Sequence, residues 1–130
     1  VISIEGNKEL ASISHKMLKN AGIKNIKLIN GNFDDVLENI FKENLTFDLL
    51  FIDGNHTEEA TLAYFEMALK YLSEKSIIVF DDINWSIGMK NAWCTIIKHT
   101  EVEVSIDLFR QGIVFFDKSI QKKEHYKLWH

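Results

Sequence analysis

Apolar residues along this chain follow two spacings, short unbroken runs and repeats three or four positions apart, and the two alternate. Val1-Ile2-Ser3-Ile4 predicts a strand, closed by Glu5-Gly6-Asn7. From Lys8 to Ala21, Leu10, Ile13, Met17, Leu18 and Ala21 recur at helical spacing, and Gly22 supplies a stop signal. Ile26–Ile29 predicts a second strand ending in Asn30-Gly31-Asn32. Asp34 and Asp35 then open a helix with Val36, Leu37, Ile40 and Phe41 on one side, acids suited to its positive end. Phe47–Ile52 predicts the third strand. Thr57 caps the next helix, with Glu58 and Glu59 in its first turn and an apolar pattern reaching Leu72. Ile77–Phe80 predicts a fourth strand that ends in Asp81-Asp82. Ser86 caps a helix carrying Met89, Ala92, Trp93, Ile96 and Ile97. Val102, Val104, Ile106 and Leu108 then alternate with polar residues, and Gly112–Phe116 follows Arg110-Gln111, which predicts an antiparallel hairpin. The tail from Lys118 is polar, with Tyr126, Leu128 and Trp129 available to pack back.

Strand–helix alternation before a closing hairpin implies an α/β fold, a mostly parallel sheet with helices on both faces. In such sheets ligands sit at the carboxyl ends of the strands. Glu5, Asn30–Asn32, Asp53–His56 and Asp81–Asn84 all fall there. The stretch LLFIDGNH shows the pattern most sharply: Leu49-Leu50-Phe51-Ile52 runs straight into Asp53-Gly54-Asn55-His56. An acid at the end of a buried strand needs partners, because desolvating an unpaired charge is costly.

Composition narrows the classes. With 130 residues, 46% of them hydrophobic, the chain suits one domain over 1–130, with 118–130 as a tail. Net charge is −4, and the only short basic pair is Lys122-Lys123, so no clustered positive face exists for nucleic acid. The single Cys94 excludes an intramolecular disulfide and fits a reducing cytoplasm; its apolar helical setting predicts a packed thiol. No apolar run is long enough to span a membrane. The chain opens without Met inside a strand-like run, which reads as a fragment.

The stretches VISIEGN, LINGNFDDVL, FDLLFIDGNHTEEA, IIVFDDINW and GIVFFD, in this order, resemble the class I S-adenosylmethionine (SAM)-dependent methyltransferases. The nearest subgroup is the small-molecule O-methyltransferases related to catechol O-methyltransferase and to the macrolide-sugar enzymes. The resemblance implies a Rossmann-like sheet, running here from the family's second strand to its seventh. The family's first strand and glycine-rich loop have no counterpart, so an N-terminally truncated domain is expected. In the family that strand lies between the second and the fourth. Its loss would leave open strand edges that invite pairing with another chain, hence a homo-oligomer.

The resemblance further implies roles. Glu5 holds the position of the acid that binds the cofactor's ribose. Gly31, Asn32 and Phe33 form the loop that meets the adenine. Asp53 lies near the methionine part and, with Asp81 and Asp82, completes the Mg²⁺ site of metal-dependent members. His56 stands where such enzymes place a general base. The chemistry is coherent: oxygen-only ligands suit Mg²⁺, a divalent ion lowers the pKa of a bound hydroxyl, and an imidazole titrates near neutrality. The implied reaction is O-methylation of a small-molecule hydroxyl, with Trp85 and Trp93 as aromatic walls. Plainer roles stand beside these. Glu5 is then surface, Asp81-Asp82 a turn and a helix cap, His56 a cap, Phe33 a staple for its helix and Trp93 core. His15, His99, His125 and His130 have no ligand spacing and read as surface. Two other classes remain open, a non-catalytic α/β module that oligomerises through its strand edges and another nucleotide-binding Rossmann-like enzyme.

Overall fold

The computed structural model describes residues 1–43 and 46–129. Two compact units divide the chain, Val1–Glu43 and Asn44–His130. In the first, β1 (Ile2–Glu5) and β2 (Lys27–Asn30) form a parallel pair, with Glu5 opposite Asn30. The helix α1 (Lys8–Asn20) connects them, as a parallel crossover requires. Asn7 caps it, its side-chain oxygen accepting from the Leu10 N–H at 3.0 Å. The helix α2 (Phe33–Lys42) buries Leu37, Ile40 and Phe41 and carries Asp34 and Asp35 in its first turn, as its pattern predicts.

The second unit holds a five-stranded sheet in the order β3-β4-β6-β5-β7. Its strands are β3 (Phe47–Ile52), β4 (Leu72–Phe80), β5 (Val104–Asp107), β6 (Gly112–Phe115) and β7 (Glu124–Lys127). β3 and β4 run parallel, β6 is antiparallel to both β4 and β5, and β7 runs parallel to β5. The predicted hairpin is therefore present, with its second strand inserted between β4 and β5. Two helices follow the parallel strands, α3 (Glu58–Ala68) and α4 (Ile87–Ile96). Thr57 and Ser86 cap them as the sequence predicts, accepting from the N–H groups of Ala60 and Met89. Both helices cover one sheet face: Phe65 of α3 and Trp93 of α4 pack against Phe80 of β4, and Phe65 also meets Phe116. Ile78, Phe80, Ala92, Ile96 and Val114 are fully buried there. Residues of β3 that point to the other face, Leu49 and Phe51, stay 63% and 51% exposed.

Three expectations need correction. β4 begins at Leu72 rather than Ile77, after a 3-10 turn at Leu69–Tyr71: Leu72 already pairs with Phe47, and the polar stretch from Ser73 to Ser76 forms an irregularity before Ile77 pairs with Leu49. β7 was not expected at all. Cys94 is exposed: the buried stripe of α4 runs through Met89, Ala92, Trp93 and Ile96, which turns position 94 outward. Among the described residues no helix is long and apolar enough to cross a membrane.

Candidate functional site

In the first unit, side chains gather where β1 and β2 end. The Gly31 N–H donates to the Glu5 carbonyl at 3.1 Å, extending the ladder past the strand pair. The Asn30 amide donates to the same carbonyl at 2.8 Å and reaches that of Gly6 at 3.4 Å, tying the two strand ends together. This clamp is a role the sequence did not reveal. Glu5 is half-buried, and its Oε1 accepts from the Asn7 N–H at 2.8 Å. A Cβ on Gly31 would lie 2.5 Å from Val36 Cγ1, and one on Gly6 would lie 3.3 Å from Asn32 Oδ1. Glu5, Gly31 and Asn32 are thus brought together. Phe33 follows as the first residue of α2, half-buried.

In the second unit the carboxyl ends of β3 and β4 lie side by side, the Asp81 N–H donating to the Ile52 carbonyl at 2.9 Å. Asp53 and Asp81 therefore leave adjacent strands on one edge. His56 Nε2 stands 3.5 Å from Asp53 Oδ1. Between them Asn55 adopts φ 55°, and its side-chain amide donates to the hydroxyl of buried Tyr64 at 2.8 Å. Asn tolerates this left-handed conformation better than most residues. Asp82 also has a positive φ, 51°, and its Oδ1 accepts from Arg110 Nε at 3.3 Å and Nη2 at 3.1 Å. The Ile83 N–H donates to the Arg110 carbonyl, and the Asn84 amide to that of Phe109, so the loop after β4 is tied to the β5–β6 turn. Asp81, Leu108, Arg110 and Gln111 line an open depression of about 390 Å³.

The expected Mg²⁺ trio of Asp53, Asp81 and Asp82 is not assembled. Among the described residues no group of three or more His, Cys, Asp and Glu side chains could hold a metal ion. The reason is local: Asp82 is committed to Arg110, and Asp53 faces His56. Trp93 is core, as the plainer reading had it, whereas Trp85 is exposed on the turn after Asp82. Among the histidines expected at the surface, His15 is exposed. His99 is half-buried, edge-on to Phe65 with Nδ1 accepting from the Glu101 N–H. His125 is exposed but bonded to the Ser105 hydroxyl, and His130 lies outside the described residues.

A Rossmann-like α/β fold with acids and amides at its strand ends defines the class: a domain built to present a carboxyl-end site. The family model for the methyltransferase domain matches residues 1–83, and the chain belongs to that family. Solved structures agree in fold. An O-methyltransferase from Bacillus cereus in complex with S-adenosylhomocysteine (SAH) is 22% identical, with a TM-score of 0.69 over 88% of this chain and 60% of that one. An SAH-bound methyltransferase of Podospora anserina is 17% identical, with a TM-score of 0.73 over 88% and 59%. A cofactor-bound protein from MTB is 18% identical, with a TM-score of 0.75 over 90% and 61%. The chain thus spans about 60% of the length of these proteins. No curated protein matches it.

Proposed function

We propose that the protein of which this chain is a part is a SAM-dependent O-methyltransferase acting on a hydroxyl of a small molecule. The observation that carries the reading is the cluster of Glu5, Gly31 and Asn32 at the ends of two paired parallel strands, in a chain of the methyltransferase family. Glu5 uses Oε1 on the Asn7 N–H, which fixes the carboxylate and, among the described residues, leaves Oε2 for a ribose hydroxyl. A side chain at Gly31 would strike Val36, so the turn into α2 keeps glycine at that position. Asn32 offers an amide for the edge of the adenine ring, and Phe33 an apolar face. SAM supplies the methyl group on a sulfonium.

The remaining roles fall to the second unit. Asp53 lies 3.5 Å from His56 Nε2, and His56 Nδ1 takes the proton of the acceptor hydroxyl. Exposed Trp85 offers an apolar surface to an acceptor near the Asp81 rim. Mg²⁺ has no part in this reading, because Asp82 already bears a guanidinium. A cytoplasmic setting fits the lone cysteine.

The test uses the full-length protein. SAH is expected to bind, and Glu5→Ala to weaken that binding by about tenfold or more, the loss expected when charge-assisted hydrogen bonds go. Equal affinity of the two proteins in calorimetric titration would remove Glu5 from the ribose.

A further inference from the structure

We propose that Arg110 is the positive group that receives the acceptor oxygen at this rim, at the position where the family resemblance implied a metal ion. This rests on the methyltransferase reading. Arg110 is the sole arginine of the sequence; every other basic side chain is a lysine or histidine. It belongs to the β5–β6 turn, yet its backbone is locked to the loop after β4. Its carbonyl accepts from the Ile83 N–H at 3.0 Å, and its own N–H donates to the Leu108 carbonyl at 3.0 Å. Among the described residues its guanidinium is held from one side only. Nε and Nη2 both donate to Asp82 Oδ1, whose side chain is 17% exposed, while the Arg110 side chain is 72% exposed. That leaves Nη1 and the second Nη2 proton for a ligand, and Arg110 lines the same depression as Asp81.

An arginine suits the task. It stays protonated at any working pH, and its planar fork donates to oxygen in a fixed geometry that a carboxylate partner preserves. In the transfer, a bond forms between the acceptor oxygen and the methyl carbon as the carbon–sulfur bond of the sulfonium donor breaks. The electron pair of that bond returns to sulfur, and the hydroxyl proton passes to His56. Negative charge builds on the acceptor oxygen as its proton leaves, and preorganised N–H donors of Arg110 stabilise it there. A divalent ion at Asp82 would have to displace this guanidinium first.

Two measurements test the proposal. The first needs no activity: ¹⁵N NMR of this chain titrated with Mn²⁺ to millimolar concentration. Amides around Asp53, Asp81 and Asp82 are expected to show no localised broadening. Localised broadening there overturns the proposal. The second assays the full-length protein against catechol and sugar hydroxyl acceptors. Turnover is expected to persist in EDTA. Arg110→Gln is expected to lower kcat about 100-fold with SAH affinity unchanged, the scale seen when one oxyanion donor is lost. Arg110→Lys should recover part of the loss, since it keeps the charge without the fork. An unchanged kcat in Arg110→Gln, or loss of turnover in EDTA, removes Arg110 from this role while leaving the methyltransferase reading intact. Failure of the full-length protein to bind SAH brings down both.

Discussion

Gly112 lies beneath the indole of Trp93, and a Cβ added there would sit 2.6 Å from two of the ring carbons and 2.9 Å from a third. Trp93 cannot yield easily, because it is 5% exposed and wedged against Phe80. Gly112→Ala is therefore expected to cost about 1–3 kcal/mol by overpacking, read as a lower urea midpoint with the slope unchanged. The same indole has a buried Nε1 with no hydrogen-bond partner among the described residues. Trp93→Phe removes both the clashing ring carbons and the orphan N–H, so Gly112→Ala should cost less in that background. Additive losses across the double-mutant cycle would show that the two positions do not compete for the same space. Nearer the rim, Tyr64→Phe deletes the acceptor of the Asn55 amide and should cost about 1 kcal/mol. Asn55→Gly keeps the left-handed backbone without the tether, and separates the hydrogen bond from the conformation it accompanies.

Elements differ in how openly the sequence announces them. An unbroken apolar run announces a strand even where half of it stays uncovered, and Phe47–Ile52 was read from the sequence with the bounds it has although Leu49 and Phe51 are exposed. Thr57 and Ser86 were legible because a capping hydroxyl has a fixed place ahead of an apolar repeat. β7 was not, since an edge strand with three of its four residues exposed carries no alternation to detect. What holds it is specific rather than periodic: Leu128 N–H to the Asp107 carbonyl, Trp129 Nε1 to the Asp107 carboxylate at 2.5 Å, and Trp129 edge-on to Phe109. The same limit applies to the site. Strand-end positions could be placed from the pattern, but the pairing of Asp82 with Arg110 joins loops 28 positions apart, and no spacing rule reports it. At the start of the segment leading to β7, the Ser119 hydroxyl and N–H donate to Asp117 at 2.6 and 2.9 Å, and Lys75 lies 3.7 Å away. The Ser119 hydroxyl foremost, then its N–H, hold the Asp117 carboxyl below its ordinary value of 3.8. A depressed carboxyl stabilises the fold above the ordinary carboxylate pKa, and the contribution fades as pH falls through the lowered value. Ser119→Ala should therefore move the Asp117 midpoint upward in an NMR titration, and an unmoved midpoint would transfer the cause to Lys75.

At the scale of the whole molecule, apolar surface is left outside the described contacts in more than one place. β3 ends the five-stranded sheet with β4 as its one hydrogen-bonded neighbour among the described residues, and it presents Leu49 and Phe51 to solvent. In α1 the apolar residues at helical spacing, Leu10, Ile13 and Met17, are exposed as well, with Ala11 the helix's buried residue. An open strand edge beside apolar side chains favours pairing with a second chain, and no proline interrupts β3 to prevent it. This chain is accordingly expected to self-associate as its concentration rises. Hydrophobic burial, not charge, would drive the process, so sedimentation velocity should show assembly persisting at high salt, where exposed ion pairs are screened. Replacing both Leu49 and Phe51 by Lys places charges on the joining surface and should shift the distribution toward monomer. A chain that stays monomeric at every concentration, with or without those lysines, would mean that β3 needs no partner, and the self-pairing reading would fall while the cofactor reading stood untouched.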